Sequence, residues 1–290
     1  MSVRDYYLEH FDELPLEKQK HFATRIKYWF KDSRFDDFLA ANEPSHDLAA
    51  VLANNDYSGV NNLEARRPFF EKYPELYGLE ACLFRINRLL IEYDVDLRED
   101  FLKIFSLDKL ADLCHKLLHD YEAMITLSTY AVNVVGLSIN LFGDRIYGLD
   151  NRYDRLTRIY AQSLQQKADY IYAYTHIILC MSDYYTKEIT GHYLQLAEII
   201  MDHTEPIIKD YYNDISLDMK LEYLVCAEMT HRRNEELRQK IDAECRAARE
   251  NSPYVIDTRK SEKYNTLSGA EHRNVLYIMS GLDYWPSTRK

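Results

Sequence analysis

The chain has 290 residues, 47% of them apolar, with only 8 Gly and 7 Pro. That is enough apolar mass for a large core and too few breakers for a disordered or fibrous polymer. Its 36 Lys and Arg stand against 47 Asp and Glu, a formal charge of −11, which repels a phosphate backbone and excludes nucleic acid as a main ligand.

Apolar positions recur at helical spacing along the whole chain and predict an all-α fold. Helices are expected at 16–41, 46–54, 62–72, 75–93, 97–104, 107–139, 145–165, 168–187, 190–211, 215–230, 233–250 and 264–281. The stops between them are Asn54-Asn55, Gly59, Gly143, Gly148-Leu149-Asp150-Asn151, Gly191, Asn213-Asp214 and Asn251-Ser252-Pro253. Ser106, Asp150 or Asn151, and Ser216 are expected N-caps. No apolar run reaches the ~18 residues that cross a bilayer, and Met1 to His10 carries no signal-peptide core. No membrane partner is expected, and the expected location is the cytoplasm. Cys82, Cys114, Cys180, Cys226 and Cys245 are widely spaced and odd in number, as reduced core residues are.

In chain order, residues 1–60 look like an N-terminal helical extension docked through Trp29, Phe30, Phe35 and Phe38. The most apolar helices of 61–290 centre near Ile86, Tyr130, Ile178, Val225 and Leu276. That spacing, roughly 45–50 residues, suggests helical-hairpin repeats in an α/α toroid or solenoid-like domain. His115 and His119 have the i, i+4 spacing of a two-His half-site, but the Glu of a His-Glu-x-x-His motif is absent and a solvated outer face explains the pair. Arg145, Arg152, Arg155 and Arg158 interleave with Asp144, Asp150 and Asp154, which reads as a self-paired helix face.

The segment 168–187 carries the main site candidates. Seven residues fall ~20° short of two helical turns, so His176 and Asp183 share a face, with Tyr172 and Cys180 beside them. Titratable groups on so apolar a helix need partners or a ligand. Asp218, Glu222 and Cys226 form an i, i+4, i+8 stripe on a later helix, and His272 opens the last one. His176, Asp183, Asp218 and Glu222 are the expected catalytic residues, with Tyr172, Cys180, Cys226 and His272 as ligand contacts. A His beside carboxylates suits acid–base work, or a metal, or simple structural pairing; no metal or other cofactor is singled out.

The residues Thr175-His176, Ser182-Asp183, Asp218, Glu222 and His272 resemble an uncharacterised bacterial all-helical family. Its members carry Thr-His, then Thr/Ser-Asp seven residues on, an Asp and Glu on the next inner helix, and a C-terminal His. The resemblance covers about the last 120 residues and implies a helical fold, with no established activity attached.

Nucleotide cradles and the Gly-x-Ser-x-Gly elbow are absent, and Asp36-Asp37 lacks the later acid of a terpene-cyclase metal motif. Two function classes remain. The favoured one is a binding or accessory module holding a peptide or partner protein on a concave face rich in Tyr, of which the chain has 25. The other is a helical-toroid enzyme acting on a polar small molecule, sugar or peptide through the His/Asp/Glu set. The charge balance makes one prediction: gel-shift titrations with DNA and RNA detect no sub-micromolar, salt-sensitive binding.

Overall fold

A computed structural model describes residues 1–146, 148, 152–161 and 170–283. Among them are sixteen α-helices and no strand: α1 (Val3–Glu9), α2 (Leu16–Phe30), α3 (Asp36–Ala41), α4 (Leu48–Leu52), α5 (Leu63–Lys72), α6 (Leu76–Tyr93), α7 (Arg98–Ile104), α8 (Leu107–His119), α9 (Tyr121–Leu127), α10 (Thr129–Phe142), α11 (Arg152–Ala161), α12 (Tyr170–Met181), α13 (Gly191–Asp210), α14 (Leu217–Met229), α15 (Glu235–Ala247) and α16 (Glu271–Met279). The fold is all-α, as the periodicity predicts. The expected caps at Asp150 and Asn151, residues 162–165 of the Arg-rich helix and residues 168–169 of the site helix lie outside the described residues.

Departures from the predicted boundaries have local causes. The expected helix 16–41 breaks because Lys31 turns left-handed (φ 54°) and Asp32 then accepts the Arg34 N–H, opening a short 3-10 turn. The expected helix 107–139 is three helices. Asp120 interrupts it by capping α9 through the Ala123 N–H at 3.2 Å while holding Lys72 Nζ at 2.6 Å and Tyr73 Oη at 2.7 Å. Ser128, at φ 51°, then bends α9 from α10 by 105°. α1 has no counterpart among the predicted helices: its seven residues are too few to show a period. The caps expected at Ser106 and Ser216 are present, accepting from Lys109 N and Met219 N.

The chain forms two compact units, Glu43–His203 and a second made of Met1–Asn42 with Thr204–Lys290; the division falls inside α13. In the Glu43–His203 unit, α10 is the central element and packs against α6, α12, α8, α9 and α11. Ala131 to Ile139, Leu141 and Phe142 are all buried, each large aliphatic among them contributing about 1.5–3 kcal/mol. Among the described residues no single helix is long and apolar enough to cross a membrane. α9 and α10 reach that length only if joined across their bend, and α10 is buried within its unit.

In the terminal unit, α16 packs on α14, α2 and α1. Phe35, one of the residues expected to dock the N-terminal segment, is buried and meets Phe11 and Phe22 with ring centroids 5.0 and 6.0 Å away. The chain ends are also joined by polar contacts. Tyr7 Oη donates to the Leu267 carbonyl at 2.9 Å, and the carboxylate of Asp283, 2% exposed, accepts the Val3 and Arg4 N–H groups at 3.1 and 3.0 Å. Both N–H groups belong to the first turn of α1, where no intrahelical carbonyl reaches, so Asp283 caps a helix some 280 positions earlier in the sequence. Asp283→Ala is expected to lower stability by about 1–3 kcal/mol in urea melts, with the helical signal of the folded state retained.

Candidate functional site

The site begins with a close approach in the Glu43–His203 unit. A Cβ on Gly136 of α10 would lie 2.6 Å from Cys180 Sγ and 2.7 Å from Cys180 Cβ on α12, so only glycine permits the two helices to pack this closely. Asn133 and Asn140 flank that contact one turn away on either side, seven residues apart. His176 and Asp183 carry the same seven-residue spacing on and just past α12, and each meets one asparagine. His176 Nδ1 lies 2.9 Å from Asn133 Oδ1, and Asn140 Nδ2 donates to Asp183 Oδ1 at 2.5 Å. His176 lies on α12 and Asp183 past its end, rather than on one continuous helix face, and the partners of both are two amides not among the expected site residues. Their signal was present: two Asn at helical period inside the apolar run Thr129 to Phe142.

Asn133 joins three groups, Glu80, His176 and Tyr184. Its Nδ2 donates to Glu80 Oε1 on α6 at 2.7 Å, while its Oδ1 also accepts the Tyr184 hydroxyl at 2.6 Å. Tyr184 Oη lies 3.4 Å from His176 Nδ1. With Nδ2 committed to Glu80, Oδ1 is the acceptor, so the neutral His176 ring carries its proton on Nδ1 and Nε2 is its basic nitrogen. Asn133 is buried; Glu80, His176 and Tyr184 are half-buried. Burial raises the Glu80 carboxyl to about 7, against the hydrogen bond from Asn133 and the charge of Arg66, both of which favour ionisation. Burial likewise holds the Tyr184 hydroxyl protonated.

The turn that delivers Tyr184 is strained. The expected helix 168–187 stops at Met181, and Asp183, Tyr184 and Tyr185 follow with φ of 47°, 54° and 77°. Left-handed backbone disfavours side chains by roughly 1–2 kcal/mol per residue; three in succession persist only when contacts over-determine them. Those contacts are present. The Tyr184 N–H reaches the Leu179 carbonyl at 2.7 Å, Tyr185 N–H donates to Ser182 Oγ at 3.1 Å, and Thr186 Oγ1 donates to the Asp183 carbonyl at 2.9 Å. Asp183, 4% exposed, anchors the turn through Asn140 and an ion pair with Lys187.

Tyr172, four residues before His176 on α12, is half-buried. Cys180 is buried 3.9 Å from Tyr184 Oη, with a thiol that burial pushes up, so it packs as a protonated core residue.

The remaining predicted residues lie in the terminal unit. Asp218 of α14 is half-buried and accepts Arg273 Nε at 3.1 Å. Glu222 is 2% exposed, and Cys226, one turn on, is buried with its thiol pushed up by burial and then by Glu222. His272 is half-buried at the start of α16, its ring 5.4 Å from that of His21. His21 was not anticipated: nothing in its local sequence sets it apart from the other histidines. His115 and His119 are exposed, their rings 4.1 Å apart, with His119 Nδ1 bonded to the His115 carbonyl at 2.7 Å. Among the described residues no group of three or more His, Cys, Asp or Glu is arranged to hold a metal ion.

A family profile described as a domain of unknown function, DUF3541, matches residues 101–290, and the chain belongs to that family. The matched span includes Asn133, Asn140, His176, Asp183 and Tyr184, whereas Glu80 and His21 precede it. No curated protein and no solved structure matches the chain.

The raised Glu80 carboxyl has a pH signature. An unfolded glutamate titrates near 4.5, so between about 4.5 and about 7 the folded chain keeps a proton that the unfolded chain has released. This contribution to stability is therefore complete below that window and is lost as pH rises through it. Urea melts across pH are expected to show a smaller loss over this window in Glu80→Gln than in the wild type. An unchanged slope would show that Glu80 titrates like an exposed carboxylate.

Proposed function

We propose, for this DUF3541 chain, that the Glu43–His203 unit carries out proton transfer on a polar small molecule such as a sugar, with Glu80 and His176 as the acid–base pair. Glu80 supplies a proton near neutral pH because burial keeps its carboxyl protonated. His176 accepts one at Nε2, its tautomer set by Asn133 Oδ1. The Tyr184 hydroxyl donates to the same Asn133 Oδ1 that His176 Nδ1 meets and orients the ligand. The observation that carries this reading is the run of three left-handed residues, Asp183 to Tyr185, which holds Tyr184 on the Asn133–His176 pair. Backbone strain of this size at a linked set of titratable groups is typical of sites organised for chemistry. An α/α hairpin scaffold in the cytoplasm is the proposed setting.

A second reading has its own observation. A groove of about 310 Å³ is lined by Asn55, Tyr57, Leu63, Arg67, Phe70 and neighbours, and its Tyr57 and Phe70 rings pack with those of Tyr77 and Tyr130 at centroid distances of 4.9–5.9 Å. Such a surface suits a peptide segment held by aromatic contacts, as a binding module requires.

The first reading is tested with chromogenic glycoside, ester and peptide panels on the wild type, His176→Ala, Glu80→Gln and Tyr184→Phe. Expected are turnover of one class, a bell-shaped pH profile, and losses of about 10²–10⁴-fold in the His176 and Glu80 variants with melting temperatures close to wild type. Variants that melt many degrees lower, or that keep full turnover, would assign these residues to packing.

A further inference from the structure

We infer that the terminal unit carries a second proton-transfer site, in which the buried carboxylate of Glu271 orients His21, and His21, flanked by His272, takes a proton from a bound hydroxyl. The geometry starts on α2, where Lys18 and His21 lie three residues apart on one face. Both reach the first residue of α16: His21 Nδ1 lies 2.7 Å from Glu271 Oε1, and Lys18 Nζ 3.3 Å from Glu271 Oε2. The Glu271 side chain is 0% exposed, yet its Oε2 has no well-directed hydrogen bond. A buried carboxylate so incompletely satisfied is costly as mere structure.

Burial would push the Glu271 carboxyl up, but His21 and Lys18 overcome it and hold it below the usual range, so the group is ionised. An ionised acceptor on Nδ1 fixes the proton there and leaves Nε2 as the basic nitrogen of His21. Among the described residues no hydrogen bond engages that Nε2, nor either ring nitrogen of His272, although both rings are half-buried. Burial first, and then His21, lowers His272 to about 4, so it stays neutral and can both donate and accept. Asp218, held by Arg273, adds a carboxylate whose charge opposes that lowering. Three imidazole nitrogens without partners, beside a buried anion, form a recognition surface for a ligand bearing hydroxyl groups.

The proton step balances within the site. The ligand O–H bond breaks, an N–H bond forms at His21 Nε2, and the electron pair remains on the ligand oxygen. The imidazolium charge is stabilised by Glu271 through the existing Nδ1–H bond. The observations behind this site are independent of the Glu80 network.

Diethyl pyrocarbonate tests it, because the reagent acylates a bare, unprotonated imidazole nitrogen with loss of ethanol and carbon dioxide. Rates are followed per residue by mass spectrometry, with exposed His231 as internal standard. Expected are a faster reaction at His21 than at His231 and a several-fold slowing of His21 alone in Glu271→Gln. Equal His21 rates in wild type and variant overturn the proposal. Nitrogen-15 NMR of the wild type gives a second test that needs no variant: a bare Nε2 on His21 supports the inference, and a protonated Nε2 with bare Nδ1 overturns it.

Discussion

The contact on which the Glu43–His203 unit depends is that of Gly136 with Cys180. Two apolar helices, α10 and α12, approach until no side chain larger than hydrogen fits at 136. That approach buries Asn133 and Asp183 beside it, and a buried polar group must find a partner in protein. Asn133 and Asn140 supply those partners, each at a helical position that faces the crossing. A close helix contact thereby becomes a polar network: Glu80, Asn133, His176 and Tyr184 on one side, and Asn140, Asp183 and Tyr153 on the other.

The two halves of that network behave differently. The Asn140 half is closed, because Tyr153 Oη donates to Asn140 Oδ1 at 2.8 Å with the Gly136 carbonyl 3.2 Å away, and Asp183 is anchored beside it. Its product is rigidity, spent on a left-handed turn that would otherwise relax. The Asn133 half contains the half-buried groups and the carboxyl raised to about 7. Packing on one side of the crossing thus holds geometry that chemistry on the other side can use. The separation explains why His176 and Asp183, which look equivalent on a helical wheel, have different surroundings.

The terminal unit applies the same constraint without the glycine. Its core forms between segments at opposite ends of the chain, so polar caps such as Asp283 on α1, and ion pairs such as Lys18 and His21 with Glu271, join residues about 250 or more positions apart. A carboxylate buried there is ionised because the Lys18 ammonium and the His21 Nδ1 reach it, not because water does.

Much of this was legible in the sequence. Helical period, sparse Gly and Pro, and Ser caps determine an all-α chain, because they act over one to four residues. His176 and Asp183 stand out as polar groups in an apolar segment on the same local scale, although Asp183 lies past the end of α12. What the sequence could not supply are the partners: Asn133 and Asn140 for His176 and Asp183, Glu80 behind Asn133, and His21 for Glu271. Those pairs lie 43 to 53 and 250 positions apart. The left-handed turn at Asp183 to Tyr185 was equally invisible, since side chains there favour continuing the helix. Only tertiary structure decides such features, because burial and long-range hydrogen bonds, not local propensity, set which groups are desolvated and which conformations are held.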